Sequence, residues 1–384
     1  MIDRILGDKL GSSKKTGESN LRWKKRLINI GKRGVALVGE EWIFFLSLFG
    51  LILSSLILHR IPKYTLNDFK ILITLTIFLI IVKSLEREKI PPYLASKIEK
   101  GSYVPLKLLL FTFFISMFIT NDVALMVVVP FTLSFNVSHA GLLVALEAMA
   151  ANGGSALSPF GNPQNLFIYY HYKTSVLAFI KTIFPFWITS LLFLILLFFL
   201  KRNLFKISAR SEPVSLGKNW KGSVLMFLLF LPVALKAVPF YLCIVPLIYY
   251  LIKDRESFKI DYFLIGTFFA FFGFTDNLAY ALNFSITEPS KVFLYSAGAS
   301  QVISNVPAAL LFADFTDNWK ALLWGTSVGG YGNLIGSLAN LIAYKLYVNH
   351  RGNNWKVLLL FHVIGYAFFF LGIASFFYFY NFVK

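Results

Sequence analysis

Two polar stretches interrupt the apolar segments of this chain: Ile119-Thr120-Asn121-Asp122-Val123-Ala124 and Ile303-Ser304-Asn305-Val306-Pro307-Ala308. Each is followed by a second polar break, Gly161-Asn162-Pro163-Gln164-Asn165-Leu166 in the first half and Gly336-Ser337-Leu338-Ala339-Asn340-Leu341 in the second. Hydrocarbon offers no water to satisfy amides and hydroxyls, so such groups persist there only beside a cavity or inside packed protein. Duplicated polar, glycine-containing breaks in apolar segments therefore predict the binding site of a transporter.

The composition places the chain in a membrane. Its 384 residues are 57% hydrophobic and 17% aromatic, and the mean hydropathy is +0.67. Charged residues make up 15%, against roughly 25% in ordinary soluble domains. The formal net charge of +18 does not indicate a nucleic-acid partner, because Lys and Arg lie mainly in the short links between apolar runs. With a single cysteine, Cys243, the chain has no intramolecular disulfide.

Apolar runs long enough to enter a bilayer recur along the chain from residue 42 onwards. They cover residues 42–58, 69–82, 104–134, 141–171, 176–200, 223–238, 239–252, 262–282, 292–315, 319–347 and 357–380. The charge of the links between them predicts which side each link faces. The N-terminal segment carries ten Lys and Arg, link 201–221 six, link 84–103 four and link 253–261 three. The positive-inside rule predicts that all four are cytoplasmic.

This sidedness requires that segment 104–134 enter and leave the membrane on the same face, either as a re-entrant hairpin or as two full spans. Each arm has about 14–16 residues, or roughly 21–24 Å of helix, which is less than the ~30 Å hydrocarbon core. The turn between the arms is polar, Thr120-Asn121-Asp122. We therefore expect a re-entrant hairpin here, and a second one over 292–315 with its tip at Ser304-Asn305, entering from the opposite face.

The predicted fold is an all-α polytopic membrane protein with about nine full spans, two re-entrant hairpins and two broken helices. The order span, hairpin, broken span, span occurs at 69–200 and again, in the opposite orientation, at 262–380, which is an inverted repeat. The expected divisions are a basic cytoplasmic segment 1–41, the first span with repeat one at 42–200, a cytoplasmic link 201–221, connecting spans 222–261, and repeat two at 262–384. The N-terminus should be cytoplasmic and the C-terminus external.

These motifs, together with Ala151-Asn152-Gly153-Gly154-Ser155-Ala156, resemble the ion transporter superfamily over most of residues 40–380. Its branches include divalent-anion:sodium symporters, citrate transporters, arsenite permeases and certain sodium/proton antiporters. In the dicarboxylate symporters each tip reads Ser-Asn-Thr, whereas the third position here is Asp122 or Val306. An acid after Thr-Asn resembles the arsenite permeases, which implies a neutral or inorganic substrate and proton coupling. The resemblance also implies a homodimer.

Where a helix is broken, the half that begins at the break has free N–H groups, and these attract an anion. The half that ends there has free carbonyls, and these coordinate a cation. Asn121 and Asn305 have side-chain amides that serve either purpose, so a sodium ion is expected near these two residues. The predicted substrate- and ion-binding residues are Thr120, Asn121, Asp122, Asn152, Gly153, Asn162, Asn165, Ser304, Asn305, Val306, Gly332, Asn333 and Asn340.

Three acidic residues are candidates for coupling transport to an ion gradient: Asp122, Glu147 and Asp276. An ionisable group at membrane depth is costly and indicates function, although Asp122 can also cap the helix that follows it, and Glu147 or Asp276 could instead face water near an interface. The sequence has no His/Cys cluster with metal-ligand spacing and no Walker-type phosphate loop. An enzyme is therefore not expected, nor is a cofactor other than the coupling ion.

The sequence thus predicts a multi-pass protein of the cell membrane whose partners are the lipid bilayer, a small anion and a second copy of the chain, with no nucleic acid. The favoured function is a secondary active transporter of a small anion or oxyanion-like solute, coupled to sodium or protons by alternating access. One alternative in the same fold is a sodium/proton antiporter that uses Asp122. Another, of a different class, is a channel or a non-transporting membrane scaffold.

Overall fold

The structure is a computed structural model that describes residues 41–98, 103–135, 137–205, 214–282 and 284–383. This part of the chain folds into α-helices joined by short connections. They are α1 (Trp42–Ile57), α2 (Leu66–Arg87), α3 (Ile90–Ile98), α4 (Val104–Ile115), α5 (Asn121–Ser134), α6 (Ala140–Ser155), α7 (Pro163–His171), α8 (Val176–Lys201), α9 (Trp220–Ala234), α10 (Ile244–Lys253), α11 (Tyr262–Leu282), α12 (Pro289–Ile303), α13 (Asn305–Ala313), α14 (Trp319–Gly329), α15 (Leu338–Arg351) and α16 (Trp355–Val383). Short 3-10 turns lie at Arg202–Leu204, Phe240–Cys243 and Arg255–Phe258.

Several of these helices are apolar enough to lie in a membrane. Within the described residues, three are also long enough to cross it by themselves: Val176–Leu204, Tyr262–Leu282 and Trp355–Tyr380. Other apolar helices have 10–17 residues, among them Trp42–Ile57, Val104–Ile115 and Asn121–Ser134. The predicted class, an all-α polytopic membrane protein, agrees with this architecture.

The helices pack as two groups. The first helix group consists of α1, α2, α9, α10 and α11, in which α1 packs along α11 and α9 along α2. The second helix group consists of α4 to α8 and α12 to α16, in which α4 packs against α6 and α12 against α14. Contacts between the groups run mainly through α2 with α7 and through α11 with α13. The second helix group thus contributes to this interface mainly through α7 and α13, the helices that begin at two of the polar breaks.

Within the second helix group the two halves of the chain are interleaved. Helix α5, from the first half, packs against α15 of the second half, and α13 of the second half packs against α7 of the first. The polar breaks at the ends of these helices are therefore brought together in space although they are far apart in sequence.

Side-chain caps fix where the helices near the breaks begin. Thr120 caps α5 by accepting a hydrogen bond from the Val123 N–H, and Ser337 caps α15 by accepting one from the Ala339 N–H. Thr65 forms a capping box with Asp68 at the start of α2. Caps of this kind satisfy N–H groups that have no partner within the helix, so the helix starts are set by local chemistry.

Some predicted boundaries differ from the structure. The span expected at 69–82 is the 22-residue helix Leu66–Arg87, because the helix continues through charged residues such as Lys83 and Glu86, which form an i,i+3 ion pair. The link predicted at 84–103 contains α3. The spans expected at 223–238 and 239–252 are helices of 15 and 10 residues, α9 and α10, and Lys236, with φ 58°, lies in the connection between them. Residues 1–40 of the predicted basic segment and residues 206–213 of the predicted link 201–221 lie outside the described residues.

Candidate functional site

A cavity of about 310 Å³ lies between the two helix groups. The first group contributes an apolar wall from α1, α2 and α11 that includes Phe44, Leu79, Val82 and Leu264. The second group contributes both polar tips and the starts of α7 and α15. From this side the lining residues are Thr120, Asn121, Asp122, Val123, Met126, Pro163, Gln164, Ser304, Asn305, Val306, Pro307, Ser337, Leu338 and Ile342. An apolar wall facing a few convergent polar groups is typical of small-molecule sites.

Four helix N-termini meet at this cavity. Helices α5, α7, α13 and α15 begin at Asn121, Pro163, Asn305 and Leu338, and all four residues line it. Each N-terminus carries a partial positive charge, because its first N–H groups have no partner within the helix. Helix N-termini of this kind bind phosphate, sulfate and carboxylate groups. Their convergence favours a small anion in the cavity.

The two tips are anchored in the same way. The backbone N–H of Asn121 donates to the Gly161 carbonyl at 3.1 Å, and that of Asn305 donates to the Gly336 carbonyl at 3.0 Å. Both acceptors are the glycines that open the second polar breaks. A Cβ on Gly161 would lie 2.0 Å from the Ser155 carbonyl oxygen, so that position requires glycine. In each half, one equivalent hydrogen bond thus joins the first residue of a helix, α5 or α13, to the glycine that shortly precedes the next polar helix start, α7 or α15.

A chain of buried asparagine side chains then joins the two halves. The Asn121 Nδ2 donates to Asn152 Oδ1 at 2.9 Å and to Ser337 Oγ at 3.3 Å. The Asn152 Nδ2 donates to Asn340 Oδ1 at 2.8 Å. Gly330 makes room for this arrangement, because a Cβ there would lie 3.0 Å from Asn305 Nδ2 and 3.5 Å from Asn152 Oδ1. The predicted residues Asn121, Asn152 and Asn340 are therefore one network.

Asn165 and Asn340 have equivalent structural roles at the two helix breaks. The Asn165 amide donates to the carbonyl of Ser155, the last residue of α6, and to those of Ala156 and Ser158, which follow it. The Asn340 amide donates to the carbonyls of Gly330 and Asn333, which follow the end of α14. The sequence predicted free carbonyls at the C-terminal stubs. Several of these carbonyls are instead hydrogen-bonded to the amide of the following half-helix.

Three buried oxygen atoms near the first tip have no hydrogen-bond partner among the described residues: Asp122 Oδ1, Asn162 Oδ1 and Asn165 Oδ1. The amide nitrogen of Asn162 does have a partner, since its Nδ2 donates to Ser155 Oγ at 2.8 Å. A buried acceptor without a donor costs roughly 1–3 kcal/mol. Carboxylate and amide oxygens are the ligands that hard cations prefer, so each of these oxygens has the chemistry of a cation ligand.

The second tip contains backbone strain. Ser304, between α12 and α13, has φ 72° and ψ 159°, a combination that is nearly restricted to glycine and that costs about 1–3 kcal/mol for other residues. Such strain clusters at ligand-binding sites. Next to it, the Ser304 hydroxyl donates to Asn305 Oδ1 at 3.4 Å, and Val306 adds an apolar contact surface to the cavity.

Three predicted residues support the site from behind the cavity. Gly153 packs against Tyr331, whose hydroxyl would lie 2.4 Å from a Cβ at this position. Gly332 has φ 88° in the break of the second half. Asn333 is held by Gln301, which accepts from its N–H at 3.1 Å and from its side chain at 2.9 Å. None of the three is among the described residues that line the cavity.

The coupling candidates occupy three different environments. Asp122 lines the cavity in the first turn of α5. Glu147 is fully buried in α6 away from the cavity, where the Thr132 hydroxyl donates to its Oε1, and its Oε2 has no partner among the described residues. Asp276 lies outside the cavity lining and forms an ion pair of 2.7 Å with Arg60. The described residues contain no group of three or more His, Cys, Asp or Glu that could hold a metal ion.

Several residues that build the site are not among those predicted from the sequence. Ser337 contacts Asn121, and it follows Gly336 just as Asn162 follows Gly161, so an alignment of the two halves would have indicated it. Gln301 carries no such signal, because it is one polar residue in the apolar helix α12. One rim of the cavity is charged, with Lys83, Glu86, Lys259 and Asp261.

Comparison with known proteins identifies the family of the chain. The family model described as citrate transporter matches residues 34–329. An uncharacterized transporter of Methanocaldococcus jannaschii is 32% identical over 316 residues, which covers 79% of this chain and 88% of that protein. The inner membrane protein YbiR of Escherichia coli strain K12 is 29% identical over 345 residues, covering 83% of this chain and 91% of that protein. The chain is therefore a membrane transporter, not an enzyme, and it belongs to the citrate transporter family.

Proposed function

We propose that the protein is a secondary active transporter that moves a small anion or oxyanion-like solute by alternating access, coupled to sodium or protons. The observation that carries this proposal is the convergence of four helix N-termini, two from each half of the chain, on a single cavity of about 310 Å³. Their summed partial charges attract an anion without the need for a lysine or arginine at the tips.

The proposed architecture is an inverted repeat with two re-entrant hairpins, two broken helices and about nine full spans. The hairpin helices α4, α5, α12 and α13 have 12, 14, 15 and 9 residues, fewer than the ~20 residues that cross a bilayer. Support for the repeat comes from the matched hydrogen bonds of Asn121 and Asn305 to glycine carbonyls. Because the cavity lies between two helix groups, a movement of one group past the other would expose it to either side in turn.

Asp122 connects the anion to the coupling ion in this proposal. Its carboxylate sits in the first turn of α5, where its negative charge opposes an anion drawn by the same helix N-terminus. A proton on Asp122, or a sodium ion held by the unpartnered oxygens of Asp122, Asn162 and Asn165, would remove this opposition. Each ligand would then strengthen the binding of the other, which is the thermodynamic basis of coupling.

We further propose that the protein lies in the cell membrane as a homodimer, with its N-terminus cytoplasmic and its C-terminus external. The charged rim of the cavity comes from the end of α2 and from the loop before α11. Both belong to links that the positive-inside rule places in the cytoplasm. In this conformation the cavity would face the cytoplasm.

A sodium/proton antiporter is the second candidate, and the position of Asp122 favours it. Its Oδ1 is buried beside the cavity and has no partner among the residues that the structure describes, so it could exchange a proton for sodium there. The two functions differ in what they require. An antiporter dissipates a pH gradient when sodium alone is added, whereas the anion transporter does so only in the presence of its anion.

The test is a proteoliposome screen with purified protein. Citrate, succinate, phosphate, sulfate and arsenite are each offered with an imposed sodium or proton gradient, and uptake is followed over time. We expect saturable uptake and counterflow of at least one solute, and loss of the response to the pH gradient in Asp122→Asn if protons are the coupling ion. Flux that never saturates would indicate a channel. Full pH coupling in Asp122→Asn would eliminate this residue as the proton carrier.

A further inference from the structure

A second cavity, of about 380 Å³, lies at the other end of the interface between the two helix groups. It is formed by the start of α2, the end of α7 and the connection between α9 and α10. The residues that line it are Asn67, Lys70, Tyr170, Lys173, Val233, Lys236, Val238 and Phe240. Three of these are lysines, and none of the described lining residues is acidic. We call this set the lysine cavity.

The lysine cavity is distinct from the cavity between the tips. Both lie along α2 and α7, but the first is near Leu79 and Pro163 and the second near Lys70 and Tyr170. On α2, Leu79 lies nine positions after Lys70, which corresponds to about 14 Å of helix. The lysines are therefore not part of the proposed transport site.

The three lysines have no carboxylate partner among the described residues. Other basic residues outside the transport site do, since Arg60 pairs with Asp276 at 2.7 Å and Lys291 with Glu288 at 2.9 Å. The acid nearest in sequence, Asp68, accepts hydrogen bonds from Thr65 in the capping box of α2. Lys173 and Lys236 carry the same charge and line one cavity, so they repel each other. A concave surface lined by charge of one sign concentrates ions of the opposite sign.

Lys236 is held in position for such a ligand. Its Nζ donates to the Tyr169 carbonyl at 2.9 Å and lies 3.8 Å from the centre of the Tyr169 ring. The hydroxyl of Tyr169 donates to the Leu235 carbonyl and that of Tyr170 to the Ala234 carbonyl. The connection that carries Lys236 is thereby fixed to the end of α7, which lowers the entropy lost when a ligand binds. An ammonium group has three N–H donors, so the bond to Tyr169 leaves two for an anion.

We propose that Lys70, Lys173 and Lys236 together bind a phosphate- or carboxylate-bearing anion in the lysine cavity. The anion can come from either of two sources, the headgroup of an anionic lipid or a free anion in solution, and the chemistry of recognition is the same. Basic pockets between membrane helices bind lipid headgroups in this way. The inference does not depend on the proposed transport function, because it concerns a different cavity.

The test measures each lysine separately. The full-length protein, in an uncharged detergent, is treated with a limiting amount of an amine-acetylating reagent, and mass spectrometry of its peptides gives the acetylation rate of each lysine. Inorganic phosphate and citrate are compared with sodium chloride at equal ionic strength. In a second arm the protein is placed in phosphatidylcholine nanodiscs with or without phosphatidylglycerol. Lys63 is the matched control, because it is exposed and close to the start of α2 but does not line the cavity.

We expect the anion to slow the acetylation of Lys70, Lys173 and Lys236 several-fold and to leave Lys63 unchanged. Protection by phosphate or citrate identifies a free anion as the ligand, and protection by phosphatidylglycerol alone identifies a lipid headgroup. In Lys236→Gln the protection of Lys70 and Lys173 should fall several-fold, since the three share one ligand. Equal acetylation with and without every probe would overturn the proposal, as would full protection of Lys70 and Lys173 in Lys236→Gln. Failure of transport would change none of these rates.

Discussion

The side-chain amide of Asn152 donates a hydrogen bond of 2.8 Å to the side-chain oxygen of Asn340, which lies 188 residues away in sequence. Both residues are buried, and Asn152 also accepts from Asn121 at the first tip. Removing one member of a buried hydrogen-bonded pair leaves the other unsatisfied. The two halves of the site are therefore coupled by directional polar contacts, which fix their relative position more narrowly than apolar packing would.

The two tip asparagines should behave differently when truncated. The Asn305 side chain has only a long contact with Ser304 among the described hydrogen bonds, so Asn305→Ala should abolish uptake and change the free energy of unfolding by less than about 1 kcal/mol. Asn121→Ala should abolish uptake and also destabilise the protein by about 1–3 kcal/mol, because Asn152 and Ser337 lose a buried partner.

Uptake into proteoliposomes and thermal unfolding in detergent separate these two effects. Asn353→Ala is the matched control, since Asn353 is exposed and contacts only Tyr344 among the described hydrogen bonds. Normal uptake in both tip variants would exclude the site between the tips.

Glycine is required at Gly161, in the first polar break, and is not required at Gly298, within helix α12. In Gly161→Ala the new Cβ would lie 2.0 Å from the Ser155 carbonyl oxygen, and relief of such a clash costs about 1–3 kcal/mol or more. Gly298 in α12 has nothing within 4 Å of its would-be Cβ. Gly298→Ala should stabilise the helix by about 0.5–1 kcal/mol. Thermal unfolding midpoints of the two variants should move in opposite directions, and a fall of equal size in both would contradict the argument.

The strain at Ser304 can be measured by releasing it. Ser304→Gly removes a cost of about 1–3 kcal/mol from the folded state, partly offset by about 0.4–1 kcal/mol from the more flexible unfolded chain. We expect a higher unfolding midpoint for Ser304→Gly than for Ser304→Ala, which keeps the positive φ and loses the hydroxyl. A lower midpoint for Ser304→Gly than for Ser304→Ala would show that the positive φ costs less than the entropy that glycine adds to the unfolded chain.

Glu147 provides a test of a buried acid outside the cavity. Its single described partner is the Thr132 hydroxyl, and an ionised carboxylate without a cation is costly in the interior. Glu147→Gln preserves the shape and removes the charge, so the protein should unfold at the same temperature or a higher one. Thr132→Val should lower the midpoint by removing the donor. If Glu147→Gln loses the response of uptake to a pH gradient while remaining folded, Glu147 rather than Asp122 carries the proton.

The positions of the polar helix starts were predictable from the sequence, because polar residues that interrupt apolar segments, and do so twice, mark places that cannot face lipid. Breaks in helices were expected at Thr120–Asp122 and at Ser304-Asn305, and α5 and α13 begin at Asn121 and Asn305. The all-helical class followed from composition. These features depend on local chemistry, namely which residues interrupt a helix and which cannot face lipid.

Other features were not predictable because they depend on long-range packing. The helices that end at Arg87 and Ala234 were predicted from the apolar runs to end at residues 82 and 238. Their ends differ because charged and polar residues extend or stop a helix according to their partners. No periodicity indicated that the Asn165 amide would bind the carbonyls after α6. The meeting of Lys70, Lys173 and Lys236 also arises only from the tertiary fold.

The interleaving of α5 with α15 and of α7 with α13 has a consequence for biogenesis. When a ribosome has completed the first half of the chain, the partners of α5 and α7 have not yet been synthesised. The polar start of α5 and the start of α7 must therefore remain in the membrane or its insertion machinery without their native neighbours until the second half is made. The site can assemble only after α13 and α15 have been synthesised, and a nascent chain that ends before α12 leaves the buried amides of Asn121 and Asn152 without their partners Ser337 and Asn340.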